Sequence, residues 1–404
     1  MISIKDNGEL ALIVDDDYSQ EPSAAQVSDR LNPQRGRGAL SNPSGRFERV
    51  TRHGFDDQWA AASAASDTNG DASDATDELL EDPLPRTDTV IATERIRSII
   101  SRNDSPDIPF TQSVNAYRGC EHGCVYCFAR PSHNYLGLSA GLDFETKITA
   151  KPNAANVLRT ELARPSYRCA VIAMGTNTDP YQPLERTMGI TRSMLDVLSQ
   201  CHHPVSIVTK GAGILADLDV LRSLAERNLV AVFISLTTLD AGLASTLEPR
   251  ASRPARRLRT IETLAKAGIP VGVLTSPMIP GLNDHELEQL LGAAQRAGAR
   301  FAGYTLLRLP YEVKDLFEQW LRTHVPARAD RVLALIRETR DGKLYDARFN
   351  VRGRGTGVYA DVIAERFALA RRRLGMGLER CKLDTTAFIP PVTAVEPSRQ
   401  LSLL

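Results

Sequence analysis

Cysteine is scarce in this chain: six in 404 residues, unevenly spaced, which excludes the disulfide framework of a small secreted protein. Long apolar runs are absent as well. Nothing approaches the roughly 18 to 20 apolar residues that a membrane helix needs. The opening Met1-Ile-Ser-Ile-Lys-Asp is followed only by a short apolar patch, Leu10 to Val14, so the expectation is a soluble, cytoplasmic protein with no membrane partner. Net charge is missing too, because 49 Lys and Arg balance 49 Asp and Glu. What is present, 42% hydrophobic residues, can bury a core over most of the length and excludes wholesale disorder.

The neutral total hides an asymmetry. Residues 1 to 90 hold 8 basic and 18 acidic residues, so the remainder carries a net charge of +10. Such a body attracts phosphate, and an acidic tail keeps it soluble. Residues 1–85 are poor in aliphatics and read as an acidic, largely disordered segment, with Ala60 to Asp77 nearly devoid of large apolar groups. Within it, Arg35-Gly-Arg-Gly-Ala-Leu-Ser-Asn-Pro-Ser-Gly-Arg-Phe-Glu48 is more specific than a linker requires. Its arginines suit either a folded body or a phosphate-bearing ligand, and a solvated loop stays open.

From Pro109 the pattern becomes strand, loop, helix, repeated. β-branched runs recur at Thr111 to Asn115, Ala170 to Met174, Val205 to Thr209, Val230 to Leu236, Val271 to Leu274 and Phe301 to Leu307. Helical stripes separate them, such as Leu258, Ile261 and Ala265, or Leu287, Leu290, Leu291 and Ala294 behind a capping box at Asn283 and Glu286. Six parallel strands in succession imply a doubly wound sheet or an incomplete (β/α) barrel, with function at the strands' carboxyl ends. A helical extension over 311–380 follows the body at 86–310, with Tyr359, Ile363, Phe367, Ala370 and Leu374 on one face, and 381–404 forms a tail.

The strongest signal is Gly119-Cys-Glu-His-Gly-Cys-Val-Tyr-Cys-Phe128, a C-x3-C-x2-C loop after the first strand. Three thiols within eight residues converge only on a shared centre. Zinc asks for four ligands, and His122, wedged between two of the cysteines, reaches poorly. An iron–sulfur cube held by Cys120, Cys124 and Cys127 leaves one iron open for chemistry. Cys201 continues an apolar stripe and Cys169 opens a strand, so both read as structural; Cys381 reads as a free thiol in the tail.

With an aromatic before its last cysteine, this loop resembles that of the radical S-adenosylmethionine (SAM) superfamily. More narrowly, residues 35 to about 374 resemble bacterial radical SAM proteins labelled DNA repair photolyases by similarity to spore photoproduct lyase. The motifs are Gly36-Arg-Gly-Ala, Ser41-Asn-Pro, Tyr117-Arg-Gly-Cys through Cys127, Thr176-Asn-Thr-Asp-Pro-Tyr-Gln-Pro183, Val208-Thr-Lys210, Glu248-Pro-Arg250 and Ile279-Pro-Gly-Leu-Asn-Asp284. The resemblance implies a partial (β/α)6 TIM-like barrel, a [4Fe-4S] cluster on Cys120, Cys124 and Cys127, and SAM bound near Tyr126, Thr178, Asp179, Lys210 and Ser235. It also implies an electron donor such as flavodoxin or ferredoxin, and a 5′-deoxyadenosyl radical that takes hydrogen from a substrate. Asp179 and Lys210 make sense without the family, since the amino-acid end of SAM needs an acceptor and a cation; a turn signal and a solvated strand end are the plainer readings.

Two positions depart from the pattern. Asn177 stands where lyases with a hydrogen-donor cysteine place that thiol, so the thymine-dimer substrate is not carried over, and Ala116 replaces a common proline. The substrate is expected at a mouth formed by Asn177, Tyr181, Arg250, Tyr304 and Arg308, with nucleic acid or a nucleotide favoured by analogy. Two rivals stay open: a zinc or iron–sulfur sensing or nucleic-acid-binding protein without SAM turnover, and radical modification of a peptide or small molecule.

Overall fold

The computed structural model describes residues 2–4, 10–12, 34–47, 87–377 and 382–392. Cys381 and most of the acidic segment lie outside these residues. Contacts divide the chain into two units: Met1–Asn32 with His53–Asp71, and Pro33–Arg52 with Ala72–Leu404. In the first, Ile2–Ile4 pairs antiparallel with Leu10–Leu12.

The second unit is built on six parallel strands in chain order: β1 (Gln112–Val114), β2 (Ile172–Met174), β3 (Val205–Thr209), β4 (Val230–Ser235), β5 (Val271–Met278) and β6 (Phe301–Leu306). All six coincide with the runs read from the sequence. Ser101–Arg102 adds a short antiparallel edge beside β1, and β6 does not return to it, so the barrel is open. The strands are rich in Val and Ile because both faces are buried; in β4 only Phe233 is less than fully buried. The cross-strand pairs Ile172 with Val205, Val205 with Val230 and Val232 with Val271 set the register.

Helices cover the outside. These are α1 (Ala154–Leu162), α2 (Ile190–Gln200), α3 (Leu218–Ala225), α4 (Ala241–Leu247), α5 (Pro254–Lys266) and α6 (Leu287–Arg296). Most lay one stripe on the sheet, for example Met194 and Leu198 from α2, Ile261 and Leu264 from α5, and Leu290 and Leu291 from α6, whereas Leu247 of α4 packs with Val125 and Tyr126 of the cysteine loop. Pro254 starts α5 at a position where its missing N–H costs nothing. Asp240 caps α4 through the N–H groups of Gly242 and Leu243.

The capping box before α6 does not form. Asn283 instead receives the Ile279 N–H and donates to the Thr237 and Pro277 carbonyls, while Glu286 receives the Thr238 hydroxyl and the Leu239 N–H. Tertiary donors compete for both side chains and win, because each of these polar groups is buried and must be paired.

The helical extension comprises α7 (Val313–His324), α8 (Ala329–Glu338) and α9 (Gly357–Arg373). Ile363 and Phe367 of α9 are buried as the periodicity implied, and Phe367 stacks on Tyr304 at 4.6 Å. Phe317 and Trp320 of α7 and Val332 of α8 share an apolar cluster with Val125 and Tyr126. The extension is therefore a wall of the cysteine loop.

Cys201 ends α2 and is buried, and its carbonyl receives the Ile389 N–H of the segment 382–392. Cys169 is half-buried and precedes β2 instead of opening it. Beside Cys201, the His203 ring packs against Tyr167 and Phe388, and burial pushes its pKa down to about 4. Between pH 6.5 and 4 the unfolded chain binds a proton that the folded chain refuses, so stability falls as pH is lowered through that window. The loss from pH 7 to pH 5 that is due to this group is expected to be about 2 kcal/mol. Denaturant midpoints at both pH values, compared between wild type and His203→Gln, measure it; an equal acid loss in both proteins removes His203 as its cause.

Candidate cofactor site

The cysteine loop leaves Tyr117–Arg118 and returns at Lys147–Ala150, and these strands pair antiparallel in a three-stranded sheet completed by Val90–Thr93. Both ends of the loop are thereby pinned. Gly119 and Gly123 turn it in left-handed backbone (φ 82° and 66°), and neighbouring atoms leave no space for a Cβ at either. Cys120 N–H donates to Phe144 O (2.9 Å), Val125 N–H to Leu247 O (3.1 Å), and Cys127 N–H to Cys124 O (3.1 Å). Glu121 N–H donates to Gln182 Oε1 at 2.9 Å, tying the loop to the segment after β2.

Behind the loop lies a buried ionic core that the sequence reading missed. Arg130 Nε donates to Cys124 O (2.9 Å) and its Nη atoms to the carbonyls of Gly123, Ala140 and Gly141. Its charge is met by Glu145, and both side chains are wholly buried. Glu145 also receives the N–H groups of Gly38 and Ala39, each at 2.9 Å. Arg37 in turn donates to the backbone carbonyls of Glu145 (2.9 Å) and Thr87 (2.7 Å). The Arg/Gly motif is thus a strap across the back of the cysteine loop. A Cβ on Gly38 would stand 1.9 Å from the Gly123 carbonyl oxygen, and one on Gly141 2.1 Å from Ser41 O.

In front of the loop a cavity of about 610 Å³ opens at the carboxyl ends of the strands. All three thiols of the loop line it, together with Tyr126, Thr178, Asp179, Lys210 and Ser235. Burial first, and then the Asp179 carboxylate, raises the Cys120 thiol; burial pushes Cys124 up to about 12. Thiols so placed give up their protons to a metal that takes them as thiolates. The Tyr126 hydroxyl donates to Glu248, which pairs with Arg257 beneath the cavity floor; burial opposes the charge on Glu248, but Arg257 and then Lys210 hold its pKa at about 2. Glu248 belongs to the quoted Glu-Pro-Arg motif, so the signal was present but its role was not read.

Asp179 is more occupied than expected. Its Oδ1 receives Tyr181 N–H (2.9 Å) and Thr209 Oγ1 (2.6 Å), and its Oδ2 receives Lys210 N–H (2.7 Å) and faces His122 Nδ1 at 3.2 Å. Burial works against the charge, yet His122 and these donors hold the carboxyl well below its usual range. The side chain locks β2, β3 and the cysteine loop together. Lys210, by contrast, points its ammonium 5.7 Å from the Tyr126 ring centre, with no acceptor and no carboxylate partner among the described residues. The Ser235 hydroxyl donates to Ser276 O at 3.2 Å. Thr178 Oγ1 and Ser276 Oγ are buried with no hydrogen-bond partner among the described residues.

The expected mouth needs correcting at three of its five residues. Asn177 and Arg308 line the cavity. Tyr181 instead donates its buried hydroxyl to Asp217 (2.9 Å), Arg250 pairs with Glu121 (3.0 Å), and Tyr304 faces Phe367 outside the cavity. A strand-end position gives only the direction of the backbone, and each of these side chains turns to a partner remote in sequence.

The donor set fits the implied cofactors. Among the described residues no three His, Cys, Asp or Glu groups close around one point as the shell of a single metal ion. All three thiols line one cavity, as a cube with one open iron would require. The same cavity is lined by hydroxyls and an ammonium without partners among the described residues, which suit a polar ligand.

A profile of the radical SAM superfamily matches residues 114–294. An uncharacterized protein of Mycobacterium bovis is 39% identical over 232 residues, spanning 57% of this chain and 68% of the relative, and one of Mycobacterium tuberculosis matches to the same extent. Spore photoproduct lyase shares the fold, with a TM-score of 0.50 at 16% identity over 71% of this chain and 78% of that one. No described helix is long and apolar enough to cross a membrane. With the cysteine loop at the head of an open six-strand barrel, the chain belongs to the radical SAM superfamily, enzymes that use a [4Fe-4S] cluster and SAM.

Proposed function

We propose that this chain binds a [4Fe-4S] cluster through Cys120, Cys124 and Cys127, and SAM in the adjoining cavity, and acts on a nucleic acid or nucleotide as a lyase or oxidoreductase. When bound, this pair supplies one-electron cleavage of SAM to a 5′-deoxyadenosyl radical that abstracts hydrogen from the substrate. The chain's own residues do the rest. Lys210 offers its ammonium to the SAM carboxylate; Thr178 and Ser276 offer unsatisfied hydroxyls; Tyr126, held by Glu248, gives the adenine a fixed ring face; Ser235 stands at the end of β4 beside them. Asp179 contributes by fixing the backbone of Lys210 and the imidazole of His122, since its oxygens are already filled. An electron donor such as flavodoxin or ferredoxin completes the reaction.

The observation that carries this reading is the convergence of three thiols and the unpaired Lys210 ammonium on one cavity. Its test is anaerobic reconstitution with iron and sulfide, reduction, and assay of 5′-deoxyadenosine from added SAM. Wild type is expected to form it, and Cys127→Ala is expected to lose both the cluster absorbance and the product, while Cys201→Ala keeps its cluster spectrum. Stable zinc with no cluster, or an unchanged spectrum in Cys127→Ala, refutes the assignment.

A further inference from the structure

We infer that Arg308, seated against Phe128, is the substrate-recognition residue of this cavity and selects a substrate that carries an anionic oxygen group, a phosphate or a carboxylate. This rests on the reading of the cavity as a SAM site and names what the remaining space takes.

The argument begins with charge. Four cations line the cavity, Arg102, Lys210, Arg308 and Arg352, against one carboxylate, Asp179, whose oxygens are filled by internal donors. Arg352 is neutralised by Asp107. Arg102, Lys210 and Arg308 have no carboxylate within ion-pair distance among the described residues. A concave, partly desolvated wall with this imbalance concentrates anions.

Position then separates two sites. Lys210 follows β3 and Arg308 follows β6, three strand spacings apart, which is roughly 14 Å along the sheet. The two cations enter the cavity from different strand ends. The proposed function gives the SAM carboxylate to Lys210, whose ammonium lies 5.7 Å from the Tyr126 ring centre. Arg308 is left for another anion.

Local geometry supports a built subsite. The Arg308 guanidinium lies 4.8 Å from the Phe128 ring centre, and Phe128 directly follows the cluster ligand Cys127. The Arg308 Nε is buried without an acceptor among the described residues, an arrangement that leaves a hydrogen-bond donor waiting. Phe110 and Asn177 line the same cavity and supply it with a ring and an amide. A substrate anchored at Arg308 therefore lies across Phe128, against the cysteine loop, where hydrogen abstraction has to occur.

The test uses full-length reconstituted protein with SAM present, titrated with phenyl phosphate, phenylacetate and neutral benzyl alcohol, with binding read by calorimetry or ligand-observed NMR. The expected result is saturable binding of an aromatic anion but not of the alcohol, unaffected by saturating SAM, weakened at least tenfold in Arg308→Gln and partly restored in Arg308→Lys. Preference for phenyl phosphate assigns a phosphate-bearing substrate, and preference for phenylacetate a carboxylate. Equal affinity in Arg308→Gln, competition with SAM, or no saturable binding of either anion overturns the inference. SAM binding by wild type is measured in the same samples: its loss refutes the proposed function, whereas its retention without anion binding refutes the Arg308 subsite alone. Circular dichroism of both variants excludes unfolding as the cause of weakened binding.

Discussion

Replacing Glu145 by Ala is expected to cost the fold on the order of 5 kcal/mol and to release the cluster. Removing one partner of a buried ion pair typically costs about 3–5 kcal/mol, because the remaining charge is left uncompensated in a dry site. Here the orphan is Arg130, wholly buried against the carbonyls of Gly123 and Cys124, and the N–H groups of Gly38 and Ala39 lose their acceptor as well. Glu145→Gln is expected to fall between wild type and Glu145→Ala. The amide introduced by that substitution keeps one oxygen, but the partners facing the Glu145 carboxylate oxygens, Arg130 Nη2, Gly38 N and Ala39 N, are donors, so its NH2 must confront one of them. Denaturant unfolding of the apo chain and iron content after reconstitution give the two readouts. An apo Glu145→Ala as stable as wild type, with full iron, would falsify the ionic core as the support of the loop.

Gly38→Ala comes second and acts through space alone. The methyl meets Gly123 O at 1.9 Å, with Gly123 C at 3.1 Å and Val125 N at 3.3 Å, so backbone must move on one side or the other. If the strap moves, its two bonds to the Glu145 carboxylate open; if the loop moves, Cys124 is displaced. Either way iron retention is expected to fall severalfold. Gly36→Ala is the control, two residues away in the same motif. It has φ 72° but nothing within 4 Å of its Cβ, so it costs about 1–2 kcal/mol of backbone strain and leaves the loop in place. Iron per chain and limited proteolysis of the strap, measured on both variants, decide the matter; equal iron retention in Gly38→Ala and wild type removes the strap from the cofactor site.

The strap also shows why part of this site was legible and part was not. The Arg/Gly motif stood out as too specific for a linker, yet its target, Glu145, lies more than 100 residues away and carries no local mark. Arg130 is the same case: an ordinary arginine in sequence, the brace of two loop carbonyls in the fold. Glu248 was quoted within a motif without a role, because its role is to hold Tyr126 and Arg257 from beneath. Tyr181, past the end of β2, and Tyr304, inside β6, turn to Asp217 and Phe367.

By itself the sequence determined the six strands, the outer helices and the cysteine loop. These depend on local causes: the period of apolar residues, the β-branched runs, and three thiols separated by intervals that only a shared centre explains. The tertiary structure alone decided which polar side chains face the cavity and which are consumed in holding it. Burial forces every polar group to find a partner, and that partner is chosen by proximity in space, which a linear pattern does not encode. Asp179 is saturated and Arg250 is paired, whereas Lys210 and Arg308 line the cavity without a carboxylate partner among the described residues.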